Sequence, residues 1–207
     1  MTMVFPSGVE GRGTATLIEK NHLLTAGHCL YDKEEGGFIT EATIYFGRHG
    51  NCFLKQSKIE KFIVHPEYLQ NDENYDLAVA KISGNLGQEL GYASLVVPDD
   101  ATLKNKMVAV TGYPGTKGLF NTLFDFPSYH MYSMEGPIVL HRKHKVYYHI
   151  DTSGGQSGAG VWTLNSEEIV QCLAVHTTGR GPKEEGNGAV RINDENYRII
   201  ADWVETL

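Results

Sequence analysis

Apolar residues recur along this chain in short runs, broken by Gly, Asn, Asp and Pro about every 8–15 residues, which is the pattern of an antiparallel sandwich or barrel. The runs predict strands at 13–18, 22–26, 42–46, 52–65 with interruptions, and 77–82. Further strands are predicted at 107–113, 129–135, 138–141, 145–151, 159–164, 168–177 and 188–191. Helical spacing is missing from most of the chain. It returns at the C-terminus, where Asn193-Asp194 can cap a helix over 195–205 with Tyr197, Ile200, Ala201 and Val204 on one face. Residues 86–101 follow neither period and carry Gly87, Gly91, Pro98 and Asp99-Asp100, so they are the natural seam between halves at 1–95 and 96–207. Residues 32–37 and 179–188 read as charged, glycine-bearing loops.

Composition narrows the class. With 207 residues, 41% of them hydrophobic, the chain can bury a substantial core, which argues against wholesale disorder. The 23 glycines are spread throughout, as many short strands and turns require. A formal charge of −7 argues against nucleic acid or an anionic membrane as partner. No apolar run approaches the ~20 residues of a membrane-spanning helix. Met1-Thr2-Met3-Val4-Phe5-Pro6 has neither the basic start nor the apolar run of a signal peptide. Three cysteines allow one internal disulfide at most. Cys29 follows a strand end and Cys52 lies on the next apolar segment, so they are the better pair; three buried thiols are the competing reading.

Three segments carry chemistry. Asp151-Thr152-Ser153-Gly154-Gly155-Gln156-Ser157-Gly158-Ala159-Gly160 frames one serine with glycines, which permit tight turns that converge N–H groups on a reacting atom. Leu23-Leu24-Thr25-Ala26-Gly27-His28-Cys29 ends an apolar strand in a histidine, fixed in place yet open to a substrate. Asn74-Tyr75-Asp76-Leu77-Ala78-Val79-Ala80 puts an acid at the head of an apolar strand, where a buried carboxylate can accept Nδ1–H of a histidine. A metal site among His141, His144 and His149 is not expected, because strand positions three apart point to opposite faces and no further ligands complete a shell.

The order His28, Asp76, Ser157, with the segments TAGHC, YDLAVAKI and GGQSGAGV, resembles the chymotrypsin-like serine proteases. Within them the chain looks most like the glutamyl endopeptidase (V8-like) branch, which includes exfoliative toxins; Val110–Gly115 and Asn187–Asn193 add to the likeness. The resemblance implies an all-β fold of two antiparallel six-stranded Greek-key barrels with a C-terminal α-helix. It also implies a secreted monomeric endopeptidase acting on protein or peptide without a cofactor, although the absence of a leader leaves the cytoplasm open. Ser157 would be the nucleophile, His28 the base and Asp76 its orienting acid, with Gly155 and Ser157 N–H groups as the oxyanion hole. Thr177 would hydrogen-bond Asp76, the alternative being an ordinary strand threonine.

The same resemblance builds a primary pocket from Thr152 and from the strand of His176, Thr177 and Gly179. His176 Nε2–H and the Thr152 hydroxyl suit a Glu carboxylate, with Asp weaker. No acidic residue is expected at the matching pocket position, which argues against a preference for Lys or Arg. Arg180 and the run His141-Arg142-Lys143-His144-Lys145 could add positive potential near the pocket, but such a run more often reads as a solvated turn. Members of the branch carry an N-terminal segment before the equivalent of Gly13 that helps complete the pocket, and this chain starts too near Gly13 to supply that strand obviously. Two rivals follow: a protease of exfoliative-toxin type whose cleft forms only on a partner, and a catalytically silent binding domain.

Overall fold

The computed structural model describes residues 1–115, 129–178 and 186–207. The first sheet takes its strands from Thr2–Val4 (β1), Glu10–Arg12 (β2), Thr16–Leu17 (β3), His22–Thr25 (β4), Glu41–Phe46 (β7), Lys55–Val64 (β8) and Ala78–Ile82 (β9), in the order β2-β1-β7-β8-β9-β4-β3. A hairpin of Tyr31–Asp32 (β5) and Gly37–Phe38 (β6) stands apart where a charged loop was expected. The edge strands β2 and β3 do not pair with each other. They are consecutive in the chain, however, and four peptide steps from Arg12 to Thr16 span at most about 14 Å, so the sheet must curl back on itself as a half-barrel.

The second sheet does close. Ser94–Leu95 (β10), Met107–Gly112 (β11), Tyr132–His141 (β12), Lys145–Tyr148 (β13), Gly160–Leu164 (β14), Val170–Thr178 (β15) and Asn187–Arg191 (β16) lie in the order β10-β15-β14-β11-β12-β13-β16. A further β15–β16 pairing joins the ends into a six-strand antiparallel barrel, with β10 added in parallel outside it. One closed barrel and one curled seven-strand sheet therefore stand where two six-strand barrels were expected. Short helices at Pro66–Leu69 (α1), Leu86–Leu90 (α2) and Asp100–Leu103 (α3) complete the connections.

The chain's N-terminus forms a strand after all. Met3 is 3% exposed in β1, and Gly13 exchanges hydrogen bonds with Met1. At the other end Asp194–Thr206 (α4) is capped by the Asn193 side chain, which accepts from Asn196 N at 2.8 Å. The face it buries differs from the expected one. Asn196 and Ile200 are buried, while Trp203, Val204 and Leu207 pack on the core and Tyr197 and Ala201 face solvent. The polar Asn196 turns inward because its Nδ2 donates to Arg191 O at 2.7 Å, a bond that apolar periodicity does not register.

Candidate active site

Strand register brings His28 and Asp76 together. β4 and β9 are antiparallel neighbours with Thr25 opposite Ala78, so the residues just beyond Thr25 and just before Ala78 emerge at one end of the sheet. His28 lies there in a single 3-10 turn, Gly27–Cys29, and Asp76 closes another, Glu73–Tyr75. Asp76 Oδ1 accepts the backbone N–H of His28 at 2.8 Å, and Oδ2 lies 2.7 Å from His28 Nδ1. The two bonds fix both the position and the ring orientation of His28. The Asp76 side chain is 6% exposed, against 33% for His28, so the acid is sheltered and the base opens outward.

Burial disfavours the charge on His28, but Cys29 and the Asp76 carboxylate outweigh it and hold the His28 pKa well above the ordinary imidazole value. A neutral thiol contributes no charge, so the working cause is Asp76, whose direct bond stabilises the imidazolium.

The serine loop sits on the other sheet. Gly160 of β14 faces Val175 of β15, so Ser157, just before β14, meets the end of β15 that carries His176 and Thr177. Gly155 (φ +95°) and Gly158 (φ +86°) make the turns of the loop in a region that side-chain-bearing residues avoid. Gly158 N donates to His176 O at 2.7 Å, and Ser157 O accepts from Thr14 N at 2.8 Å. Thr14 is 4% exposed and bridges the sheets: its hydroxyl donates to Gly155 O at 2.9 Å and accepts from Tyr113 N at 3.1 Å. Among the described residues the N–H groups of Gly155 and Ser157 have no partner, and no hydrogen bond joins Ser157 Oγ to His28.

A pocket of about 380 Å³ opens beside Ser157, lined by Asp151, Thr152, Ser153, Gly154, His176 and Asn187. Thr152 and His176 therefore share it, as expected; Gly179 and Arg180 lie outside the described residues. The fully buried Tyr148 hydroxyl is 2.7 Å from His176 Nδ1 and has no other partner among the described residues; with that proton given to Nδ1, Nε2 carries the hydrogen. Burial, then the His28 charge, lower the His176 pKa to about 4, so the ring is neutral near pH 7. Asn187 Nδ2 donates to Thr152 Oγ1 at 2.8 Å, which leaves the Thr152 proton available to a ligand.

Four expectations change. Asp151 is an exposed acid on the pocket wall, contrary to an acid-free pocket; lying six residues before Ser157, it was legible in the sequence. Cys29 and Cys52 are not bridged: Cys29 is buried with Sγ 3.6 Å from Ser157 O, and Cys52 is exposed in the turn that pairs with His49. Thr177 Oγ1 accepts from Lys145 Nζ at 3.0 Å and makes no hydrogen bond to Asp76. Lys145 is thus no solvated charge but 6% exposed, whereas Lys143 does reach an exposed partner, Glu195, at 3.1 Å. Tyr148, Asn187 and Thr14 are the site residues that sequence reasoning missed.

Comparisons with known proteins show what this chain is similar to. The trypsin family model matches residues 3–198. A glutamyl endopeptidase of Bacillus licheniformis is 30% identical over 199 residues, 93% of this chain and 60% of that protein. An extracellular metalloprotease of Bacillus subtilis is 28% identical over 92% of this chain and 57% of its own length. The chain thus spans about 60% of the length of these relatives. A solved Glu endopeptidase in complex with MPD superposes with a TM-score of 0.82 at 24% identity, covering 100% of this chain and 89% of that one. With its family model matched over nearly its whole length, this chain belongs to the trypsin family.

Proposed function

We propose that this protein is a serine endopeptidase in which Ser157, His28 and Asp76 form the catalytic triad. The observation that carries the reading is the doubly bonded Asp76–His28 pair, whose neighbour Cys29 puts Sγ 3.6 Å from the carbonyl of Ser157, the serine that lines the pocket. Ser157 Oγ attacks the scissile carbonyl, His28 takes the proton and returns it to the leaving amine, and Asp76 keeps His28 in the Nδ1–H tautomer. The unpartnered N–H groups of Gly155 and Ser157 receive the oxyanion, each worth roughly 2.7–4 kcal/mol in the transition state. Residues 1–95 contribute the base and its acid and residues 96–207 the nucleophile, from the curled sheet and the closed barrel respectively. The protein works as a monomer on polypeptide substrates, outside the cell as the name of the B. subtilis relative suggests for that protein.

The P1 residue is Glu. Its carboxylate would accept from His176 Nε2–H and from the Thr152 hydroxyl, both donors set by a second bond behind them. Asp151 favours a second reading, since an acid on the pocket wall would select Lys or Arg instead. Cleavage of a mixed peptide library, read by mass spectrometry with Ser157→Ala as blank, decides between them. Cuts after Glu that vanish in the blank support the proposal, and cuts after Lys or Arg transfer specificity to Asp151. No cuts at all would favour the partner-activated or silent alternatives.

His176→Leu removes one charged-group hydrogen bond and is expected to lower kcat/KM for Glu peptides about 10- to 100-fold while sparing apolar P1 peptides. Equal losses on both would take His176 out of recognition. The raised His28 pKa gives a further expectation, because the base works only when deprotonated. The kcat/KM of the protein should rise with pH through an apparent pKa above the usual value of about 6.5. A profile flat from about pH 5 to 8 would exclude His28 as the base.

A further inference from the structure

A second concavity lies beside the serine loop, and the mechanism above leaves it unused. Arg12, Gly13, Tyr45, Arg48, Tyr113 and Tyr129 form most of its wall, and it shares no residue with the pocket of Thr152 and His176. Its volume is about 20 Å³, room for one or two water-sized groups and so for a carboxylate rather than a ring.

Contacts fix its place relative to the reacting atoms. Gly13 directly precedes Thr14, whose N–H donates to Ser157 O and whose hydroxyl donates to Gly155 O. Gly13 also packs on the residue after His28: a Cβ there would lie 2.8 Å from Cys29 Sγ. On the other wall, a Cβ on Gly155 would lie 2.5 Å from Tyr113 O. The serine loop therefore has one cavity against β15, for the P1 side chain, and another against Gly13 and the turn of His28. His28 returns its proton to the leaving amine, so the second cavity lies where the chain after the scissile bond would run.

Two guanidinium groups converge there on one ring. Arg48 Cζ is 3.5 Å from the centre of the Tyr129 ring and 4.4 Å from that of Tyr45, and Arg12 Cζ is 4.3 Å from the Tyr129 centre. Arg48 is held in place, its backbone N–H donating to the Tyr113 hydroxyl at 3.0 Å and its Nε to Gly50 O at 3.0 Å. Gly50 N in turn donates to Tyr129 O at 3.1 Å. Among the described residues no carboxylate comes within ion-pair distance of either arginine. In a chain of formal charge −7, two fixed cations without an internal anion leave their forked donors to one from outside.

We propose that Arg12 and Arg48 form a subsite on the leaving-group side that takes an acidic side chain, Glu or Asp, from the first three residues after the scissile bond. The inference rests on the endopeptidase reading and deepens it, whichever residue occupies P1: the preferred substrate is acidic just beyond the cut.

The test is steady-state hydrolysis of peptide pairs built on a sequence that the wild type cleaves. The members of a pair are alike up to the cut and carry Glu or Gln at one of the three positions after it. Wild type, Arg12→Gln, Arg12→Lys and Arg48→Gln are compared, with Ser157→Ala as blank and thermal unfolding as a check on folding. At one position the wild type is expected to favour Glu about tenfold in kcat/KM at low salt. That preference should shrink in about 0.5 M salt, because the charges are open to solvent. Arg12→Gln and Arg48→Gln should each lower it about threefold or more, whereas Arg12→Lys, which keeps the charge, should retain most of it. Equal rates on Glu and Gln at all three positions would overturn the proposal. So would variants that slow both members of a pair alike, which would make the arginines mere braces for Tyr129. Should Arg48→Gln fail to fold, Arg12→Gln decides, since Arg12 is exposed on the edge strand β2. A wild type no faster than Ser157→Ala would overturn the endopeptidase reading and this inference with it. Ser157-dependent cleavage that is indifferent to the charge after the cut overturns this inference alone.

Discussion

Ser157→Ala is expected to lower kcat by about 10⁶-fold and Asp76→Asn by about 10⁴-fold, both in chains that still fold. The first loss follows from removing the nucleophile. The second is set by the particular pattern of bonds at Asp76. Oδ1 is committed to the backbone N–H of His28, a donor that cannot reverse, so an asparagine must place its oxygen there. Its NH₂ group then faces Nδ1 across the 2.7 Å contact, and as a donor it requires Nδ1 to be the acceptor. The His28 proton is forced onto Nε2, where the base should receive one from Ser157. The variant therefore keeps its geometry and holds its base in the wrong tautomer. Steady-state kinetics on a cleaved peptide, with thermal unfolding to confirm the fold, measure both losses. The double variant should be no slower than Ser157→Ala alone, because the residues act as a unit. An Asp76→Asn kcat within tenfold of the wild type would remove the His28–Asp76 pair from the mechanism.

Much of this site was legible because its parts lie where strands end. His28 and Asp76 flank runs apolar enough to be read as β4 and β9, and antiparallel pairing then does the rest. Thr152 and His176 were legible only through the family resemblance, and both line the pocket. Side-chain direction was not legible. Lys145 ends a run of five charged or titratable residues, and only the sheet decides that it alone of the lysines there turns inward. Tyr148 and Asn187 support the pocket from behind, through bonds between residues 28 and 35 apart in sequence, which no local pattern encodes.

The fold shows the same division. The β12 strand was expected as two pieces because Gly136-Pro137 interrupts it, yet it runs unbroken from Tyr132 to His141. Pro137 falls where pairing passes from β11, whose first residue Met107 lies opposite it, to β13, whose pairing begins at Ile138, so the missing N–H leaves no gap in the ladder. The strand β2 escaped notice because Glu10-Gly11-Arg12 is polar with a glycine at its centre; it is an edge strand, where one side of the ladder needs no apolar cover.

Gly158→Ala is expected to be the most damaging single methyl group that can be added near the site. Two costs combine there. At φ +86° a residue with a Cβ sits in the left-handed region, at about 1–2 kcal/mol. The added Cβ would also fall inside contact distance of Thr14 O and Thr25 Oγ1, and 3.1 Å from Ala26 N. These atoms cannot give way cheaply. Thr25 Oγ1 donates to Thr14 O at 2.8 Å, and Thr14 N in turn donates to Ser157 O, so moving one disturbs the seam that seats the nucleophile on the first sheet. Overpacking of this kind adds about 1–3 kcal/mol, which for a chain of this size lowers Tm by roughly 10 °C in total. Gly84→Ala is the control, since Gly84 has φ +80° but nothing within 4 Å of its Cβ position. It should show the backbone cost alone, a Tm lower by roughly 3–6 °C with turnover retained. Gly158→Ala should lose activity as well, because relief of the clash displaces the loop that carries Ser157 and the N–H of Gly155. Equal melting temperatures for the two variants would mean that the close approach of the sheets at Gly158 is absent in solution, and the account of how the nucleophile is positioned would fall with it.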